Sequence, residues 1–254
     1  MRKHLFITGA GVSADSGIPT FRGKDGFWTI GSINFTPQEM ATRQMYIEKP
    51  AEFLHWYFKR FAEYRNTQPN MVHEWLSKKK LITQNIDGLD GKAGNAGYIP
   101  IHGRLDKVTL FGHQEKQLEL INAPWDELAN EIGSDCSDAV LRDVLLDVFR
   151  ISRITMKPEV DVSLKPFVLL FDEYYTDMYR MSEAVDWLDG ATTMVFLGTS
   201  FSVGITAMAL EIAKRNNTDI HIVDPEPIDL GLRGVKYHRM RAAEFIELAV
   251  TLGM

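Results

Sequence analysis

The chain has 254 residues, 45% hydrophobic and 24% charged, with a net charge of −6. It can bury one large core beside a smaller module, and its composition excludes disordered, collagen-like and coiled-coil classes. The acidic balance argues against nucleic acid or anionic lipid as partner, no stretch approaches the ~18 apolar residues of a membrane span, and the lone Cys136 excludes an intrachain disulfide. A cytoplasmic protein is the expectation.

The basic start Arg2-Lys3-His4 leads into Leu5-Phe6-Ile7, but the apolar run stops at Thr8-Gly9-Ala10-Gly11, so it reads as a strand and not as a signal peptide. Similar runs at Leu81 to Thr83, Phe167 to Phe171, Thr193 to Leu197 and Ile220 to Val223 suit strands buried on both faces. Helical patterns cover Pro50 to Tyr64, Trp125 to Ile132, Ser137 to Phe149 and Val203 to Lys214. After Asp172, the spacing of Met178, Met181, Val185 and Leu188 gives a further helix ending near Gly190. Strands alternating with helices predict an α/β fold: a Rossmann-like, doubly wound parallel sheet with a smaller, mainly helical inserted module. The expected core covers approximately 1–22, 80–103 and 165–254, with a helical insertion at 23–79 and a small module at 104–164.

Gly9-x-Gly11-x-x-Ala14 follows the first strand, the context a dinucleotide fingerprint requires. Glycines there let the backbone turn tightly and approach a pyrophosphate on free N–H groups, although Gly-rich turns also occur without a ligand. A dehydrogenase would continue with a full helix and an acidic residue ~20 positions on. Here Gly17 and Pro19 stop the helix after one turn, and a long flexible segment is expected to follow.

Thr83-Gln84-Asn85-Ile86-Asp87-Gly88 directly follows a strand, at the carboxyl end of the sheet where α/β proteins bind ligands. Asn offers donors and an acceptor while ionised Asp only accepts, a set that suits a carboxamide and ribose hydroxyls; turn shaping or helix capping is the alternative. Ile101-His102-Gly103 supplies a histidine whose unperturbed pKa of ~6.5 suits a general base. Gly198-Thr199-Ser200 and Asp224 each end a strand; the former also reads as an ordinary N-cap.

Taken together, Gly9 to Arg22, with its Gly-Ile-Pro-Thr-Phe-Arg string, Gln84-Asn85-Ile86-Asp87, His102-Gly103 and Gly198-Thr199-Ser200 resemble the sirtuins, NAD-dependent protein deacylases. The resemblance implies that Gly9, Ala10, Gly11, Asp15, Pro19, Phe21 and Arg22 line the NAD pocket. It also implies that Gln84, Asn85, Ile86 and Asp87 hold the nicotinamide ribose, with Asn85 and His102 catalytic. Gly198, Thr199, Ser200, Asp224, Ala242 and Ala243 would receive the adenosine half, Asp224 favouring NAD over NADP. An acylated lysine on a protein or peptide would pair with Phe171, Asp172 and Glu173, the products being nicotinamide and O-acyl-ADP-ribose. If water or a protein side chain attacked instead, the same pocket would make an NAD hydrolase or a mono-ADP-ribosyltransferase; a silent NAD-binding sensor is a third reading.

Two departures stand out. Most sirtuins carry a zinc module with two Cys pairs, whereas this chain has Cys136 and His113 there, so no zinc is expected. Packing of Trp125, Leu128, Ile132, Val140, Leu141, Val144, Leu145 and Val148 would hold that module instead. Asp172 stands where the family has a glycine, and its side chain could crowd or re-aim the peptide.

Overall fold

The structure, a computed structural model, describes residues 3–20, 35–113, 120–132 and 136–254. In chain order the elements are β1 (His4–Thr8), α1 (Pro37–Met40), α2 (Arg43–Glu48), α3 (Pro50–Tyr64), α4 (Met71–Leu76), β2 (Leu81–Thr83) and α5 (Leu89–Lys92). Next come β3 (Ile99–Pro100), β4 (Gly103–Leu110), β5 (Ile121–Asn122), α6 (Trp125–Glu131), α7 (Asp138–Val148), β6 (Leu164–Val168) and α8 (Met181–Gly190). The chain closes with β7 (Thr193–Leu197), α9 (Gly204–Arg215), β8 (Asp219–Val223), β9 (Lys236–His238) and α10 (Ala242–Thr251). They form two compact units, one of Met1–Gly23, Thr67–Ile101 and Arg180–Met254, the other of Lys24–Asn66 and His102–Tyr179.

The first unit is built on a parallel sheet in the order β3-β2-β1-β7-β8-β9. β1 is central, and the order runs outward from it in both directions, as in a dinucleotide-binding fold. Every residue of β2 and β7 is buried, which is why these strands read as unbroken apolar runs and not as alternating ones. Phe6, Leu81, Val195 and Val223 from the sheet pack with Val72 and Leu76 of α4 and Phe245 and Ala249 of α10.

The second unit joins a three-stranded antiparallel sheet, β5-β4-β6, to the helices before and after it. The stretch from Phe167, expected as a strand of the parallel sheet, therefore lies elsewhere: β6 spans Leu164–Val168 and pairs antiparallel with β4. An apolar run reports burial on both faces but not which neighbours supply it. α3 begins with Pro50 at its first turn and buries Phe53, Tyr57, Phe58 and Phe61. Phe58, Phe61 and Phe149 surround the ring of Trp125, whose Nε1 donates to the Leu105 carbonyl at 2.8 Å. Leu128, Leu141 and Leu145 are buried as expected, but Val140 is 54% exposed, and Leu146 and Phe149 complete the apolar face of α7. Met178 falls in a one-turn 3-10 piece ahead of α8, so the stripe expected there starts one turn late.

Candidate functional site

In the first unit the loops after β1 and β7 lie side by side at the carboxyl ends of two adjacent strands, where the strand order reverses; ligands of open α/β sheets bind at such switch points. The Gly9 N–H donates to the Leu197 carbonyl at 3.0 Å and the Gly11 N–H to the Gly198 carbonyl at 2.9 Å. A Cβ on Gly11 would come within 2.6 Å of Gly198 Cα, and one on Gly9 within 2.7 Å of the Gly198 carbonyl. Gly198 itself has φ +56°. The glycines are thus required by contact between two backbones, and the N–H groups of Gly9 and Gly11, expected to be free for a pyrophosphate, are committed to β7.

The described part of the loop, up to Thr20, is tied to its surroundings, and the flexible segment expected beyond Pro19 lies mostly outside the described residues. Asn70 caps α4 by accepting from Val72 N–H, and its Nδ2 donates to the Val12 carbonyl at 2.8 Å and to Ser16 Oγ at 3.0 Å. The Arg241 guanidinium pairs with Asp15 at 2.9 Å. Gly17 ends the second of two 3-10 turns with φ +88°, as its position before Ile18-Pro19 suggests. Phe21 and Arg22 lie outside the described residues.

Beneath this loop a polar network gathers Asn85, Asp87 and a serine that the sequence reading left without a role. Ser13 Oγ donates to Asp87 Oδ2 at 2.7 Å and accepts from Asn85 Nδ2 at 3.1 Å, while Asn85 Nδ2 also donates to the Gly9 carbonyl at 3.1 Å. Both amide protons of Asn85 are thereby used, and among the described residues its Oδ1 accepts none. His73, wholly buried, accepts from Asn70 N–H at Nδ1 and turns Nε2 toward Ser13 Oγ at 3.5 Å. Burial lowers its pKa and keeps it neutral. Asp87 Oδ1 accepts from Leu89 N–H at 2.9 Å, so turn shaping, one alternative reading of this residue, is one of its tasks. Asp90, one helical turn on, is 2% exposed; burial first and the Asp87 charge second push its pKa up to about 7.

Gln84 Nε2 donates to the Thr8 carbonyl and to Thr199 Oγ1, both at 3.1 Å, tying the β2 and β7 loops across β1. Ser200 Oγ and Ser202 Oγ are 2.6 Å apart. Asp224 Oδ1 accepts from Glu226 N–H at 2.9 Å. Ala242 and Ala243 open α10, where the Glu244 carboxylate accepts from the Arg241 N–H at 3.1 Å.

In the second unit, His102 precedes Gly103, which has φ +84° and lies so close to the Phe167 carbonyl that any Cβ would collide with it. The His102 carbonyl accepts from Leu169 N–H at 2.9 Å, and its ring Nε2 lies 2.9 Å from the Tyr175 hydroxyl. Of the residues expected to meet peptide, Phe171 is 53% exposed, but Glu173 is a buried ion-pair partner. Its carboxylate receives Lys165 Nζ at 2.8 Å and faces Arg43 at 3.6 Å. The Asp172 carboxylate accepts from Arg43 N–H at 2.6 Å and Gln44 N–H at 3.0 Å, capping α2. The N–H groups of Leu169, Leu170, Phe171 and Glu173 are bonded within the unit, whereas among the described residues that of Asp172 is not.

No group of three or more His, Cys, Asp or Glu side chains among the described residues could hold a metal ion. His113 pairs with Asp161, and Cys136 Sγ contacts the Ser137 carbonyl, a donor set that does not fit a four-ligand structural zinc site. No described helix is long and apolar enough to cross a membrane.

The Sir2 family model matches residues 9–204. An NAD-dependent protein deacylase of Aquifex aeolicus is 43% identical over 234 residues, covering 87% of this chain and 82% of the relative. One from Aeropyrum pernix is 31% identical over 249 residues, covering 95% and 88%. Among solved structures, a Sir2 homologue in complex with NAD superposes with a TM-score of 0.72 at 27% identity, over 98% of this chain and 88% of that one. A family match over residues 9–204, which runs from the loop after β1 to the start of α9, means that the chain belongs to the Sir2 family, the sirtuins.

Proposed function

We propose that this chain is an NAD-dependent protein-lysine deacylase that releases nicotinamide and O-acyl-ADP-ribose. The observation that carries the reading is the polar network of Ser13, Asn85 and Asp87 at the carboxyl ends of β1 and β2. NAD, when bound, supplies a ribose bond to a cationic nicotinamide that is already primed to break. The chain's part is to hold and orient. Asn85, fixed through both amide protons, offers Oδ1 to a carboxamide or hydroxyl donor, and the Asp87 side chain accepts from the ribose. Gly9, Ala10, Gly11, Asp15 and Pro19 form the wall of the pocket, with Ile86. Gly198, Thr199, Ser200, Asp224, Ala242 and Ala243 take the adenosine half. His102 removes a proton from a ribose hydroxyl so that the acyl group can migrate.

For the acyl-peptide, the Asp172 N–H is the backbone donor open to an added strand, with exposed Phe171 and Tyr174 flanking it. The Asp172 side chain is engaged with α2, which supports a peptide approach that the carboxylate does not crowd. The packing around Trp125 supports a small module that needs no zinc; purified protein should carry no stoichiometric metal.

The test is incubation with NAD, with and without an acetyl-lysine peptide, followed by product identification. O-acyl-ADP-ribose formed only with peptide supports the reading; ADP-ribose released equally without peptide overturns it.

A further inference from the structure

We propose that Asp90 is a positioning residue for Asn85 and Asp87: through the Thr83 hydroxyl it anchors the turn that presents them to NAD, and it does so as an uncharged acid. The inference deepens the deacylase reading and rests on NAD as the ligand of that turn. The anchor starts at Thr83, the last residue of β2, which stands opposite Thr8 of β1. Its Oγ1 accepts from Thr8 Oγ1 at 2.8 Å and from the Asn85 N–H at 3.2 Å. With both lone pairs taken, the hydroxyl has only its own proton to give, and the Asp90 carboxyl receives it. Asp90 is in turn held by its backbone. Its carbonyl accepts from Asn95 N–H at 3.1 Å, and Asn95 Nδ2 donates to the Leu76 and Lys79 carbonyls at 2.9 and 3.3 Å, tying α5 to the end of α4. The turn that carries Asn85 and Asp87 therefore runs between two fixed points, Thr83 on the sheet and Asp90 on α5, which also bond to each other.

The uncharged form follows from what surrounds the carboxyl. Asp90 is 2% exposed, and among the described residues its Oδ1 has no hydrogen-bond partner. A buried oxygen without a donor costs far more on a carboxylate than on a neutral acid. The charge that acts on it is that of Asp87, of the same sign. Around α5, His73 of α4 is kept neutral by burial, Glu74 of α4 is exposed, and Tyr98 beside Gly91 is a phenol. Lys92 of α5 itself is exposed and reaches the Thr67 carbonyl at 3.3 Å. Burial first and the Asp87 charge second raise the Asp90 pKa to about 7, against the Thr83 bond, which lowers it. As pH rises through that value, the site gains a second buried negative charge beside Asp87. Repulsion and water drawn to the new carboxylate loosen the turn, and NAD then meets Asn85 and Asp87 less well placed.

The test uses the full chain. Calorimetric NAD binding by Asp90→Asn and by the parent is compared between about pH 6 and about pH 8.5. The Asn variant keeps an oxygen for the Thr83 hydroxyl but never ionises, and groups common to both proteins cancel in the ratio. The two dissociation constants should agree within about twofold at the acid end, and the parent should bind about fivefold more weakly at the alkaline end. An infrared difference spectrum, parent minus Asp90→Asn, should show the carbonyl band of a protonated carboxyl at the lower pH that fades at the higher. Thr83→Val should weaken NAD binding about tenfold, and Thr83→Ser, which restores the hydroxyl, should recover most of it. A binding ratio flat with pH, no acid band at the lower pH, or equal binding by Thr83→Val and parent would overturn the proposal. No NAD binding by the parent at any pH would overturn the deacylase reading and the positioning role with it, whereas the acid band judges the state of Asp90 separately.

Discussion

The glycine loop after β1 and the Phe171–Glu173 segment after β6 both belong to the sirtuin pattern, but their residues are retained for different reasons. In the loop, Gly9 and Gly11 keep the family's residue type because a neighbouring backbone, that of Gly198 and Thr199, leaves no room for a Cβ. In the segment, Asp172 departs from the family's glycine and gains a structural task as the cap of α2. A motif position is therefore tolerant where a new side chain finds a partner, and intolerant where protein packs on protein with none to spare.

Gly11→Ala strikes the comparison hardest. The methyl group must displace the Gly198 backbone, and we expect a loss of about 2–4 kcal/mol in urea unfolding together with loss of NAD turnover. Full stability with lost turnover would return the glycine to a purely ligand-facing role and break the comparison.

Asp90→Asn sharpens it by asking how the network under the loop depends on charge. The folded-state pKa of Asp90 is raised from 3.8 to about 7, so the folded protein holds a proton that the unfolded chain releases, and stability falls as pH rises between those values. The variant should therefore gain on the parent by about 1–3 kcal/mol from pH 4 to pH 8. His221, lowered to about 4 by burial and the nearby Lys236 and His238, works in the opposite sense, losing its contribution as pH falls from 6.5. The difference between variant and parent isolates the aspartate; a difference that is flat with pH would mean that Asp90 is ionised throughout.

At the adenosine end, Asp224→Asn should narrow the preference for NAD over NADP by about tenfold in kcat/KM, because a ribose phosphate would no longer meet a carboxylate. Equal use of the two cofactors by the parent protein would refute the role. Smallest is Asp172→Ala: loss of the cap should cost about 1 kcal/mol in unfolding while deacylation of an acetyl-lysine peptide stays within about threefold. A gain of activity well beyond that range would show that the carboxylate does hinder the peptide.

Much of the sheet unit could be read from the chain. β1, β2, β7 and β8 are continuous apolar runs because they are buried on both faces, and the polar residues that follow them sit at strand ends by necessity. Local signals also placed α3, α7 and α9 to within a residue, since Pro50 starts one and Ser137 caps another. Less was readable where partners come from distant sequence. Ser13 lay in plain sight inside the glycine string, but its meaning depends on Asn85, Asp87 and His73, which only folding brings to it. His73 itself could have been noticed as the third residue after a capping Asn70.

The sequence by itself determined the class of fold, the family and the residue types offered to NAD, because backbone periodicity and short motifs are local properties. The tertiary structure decided the rest: that β6 leaves the parallel sheet, that Gly9 and Gly11 are locked against Gly198, and that the Asp172 carboxylate meets the first N–H groups of α2. Each is a contact between segments far apart in the chain, or an orientation fixed by such contacts, and no local pattern encodes the partner.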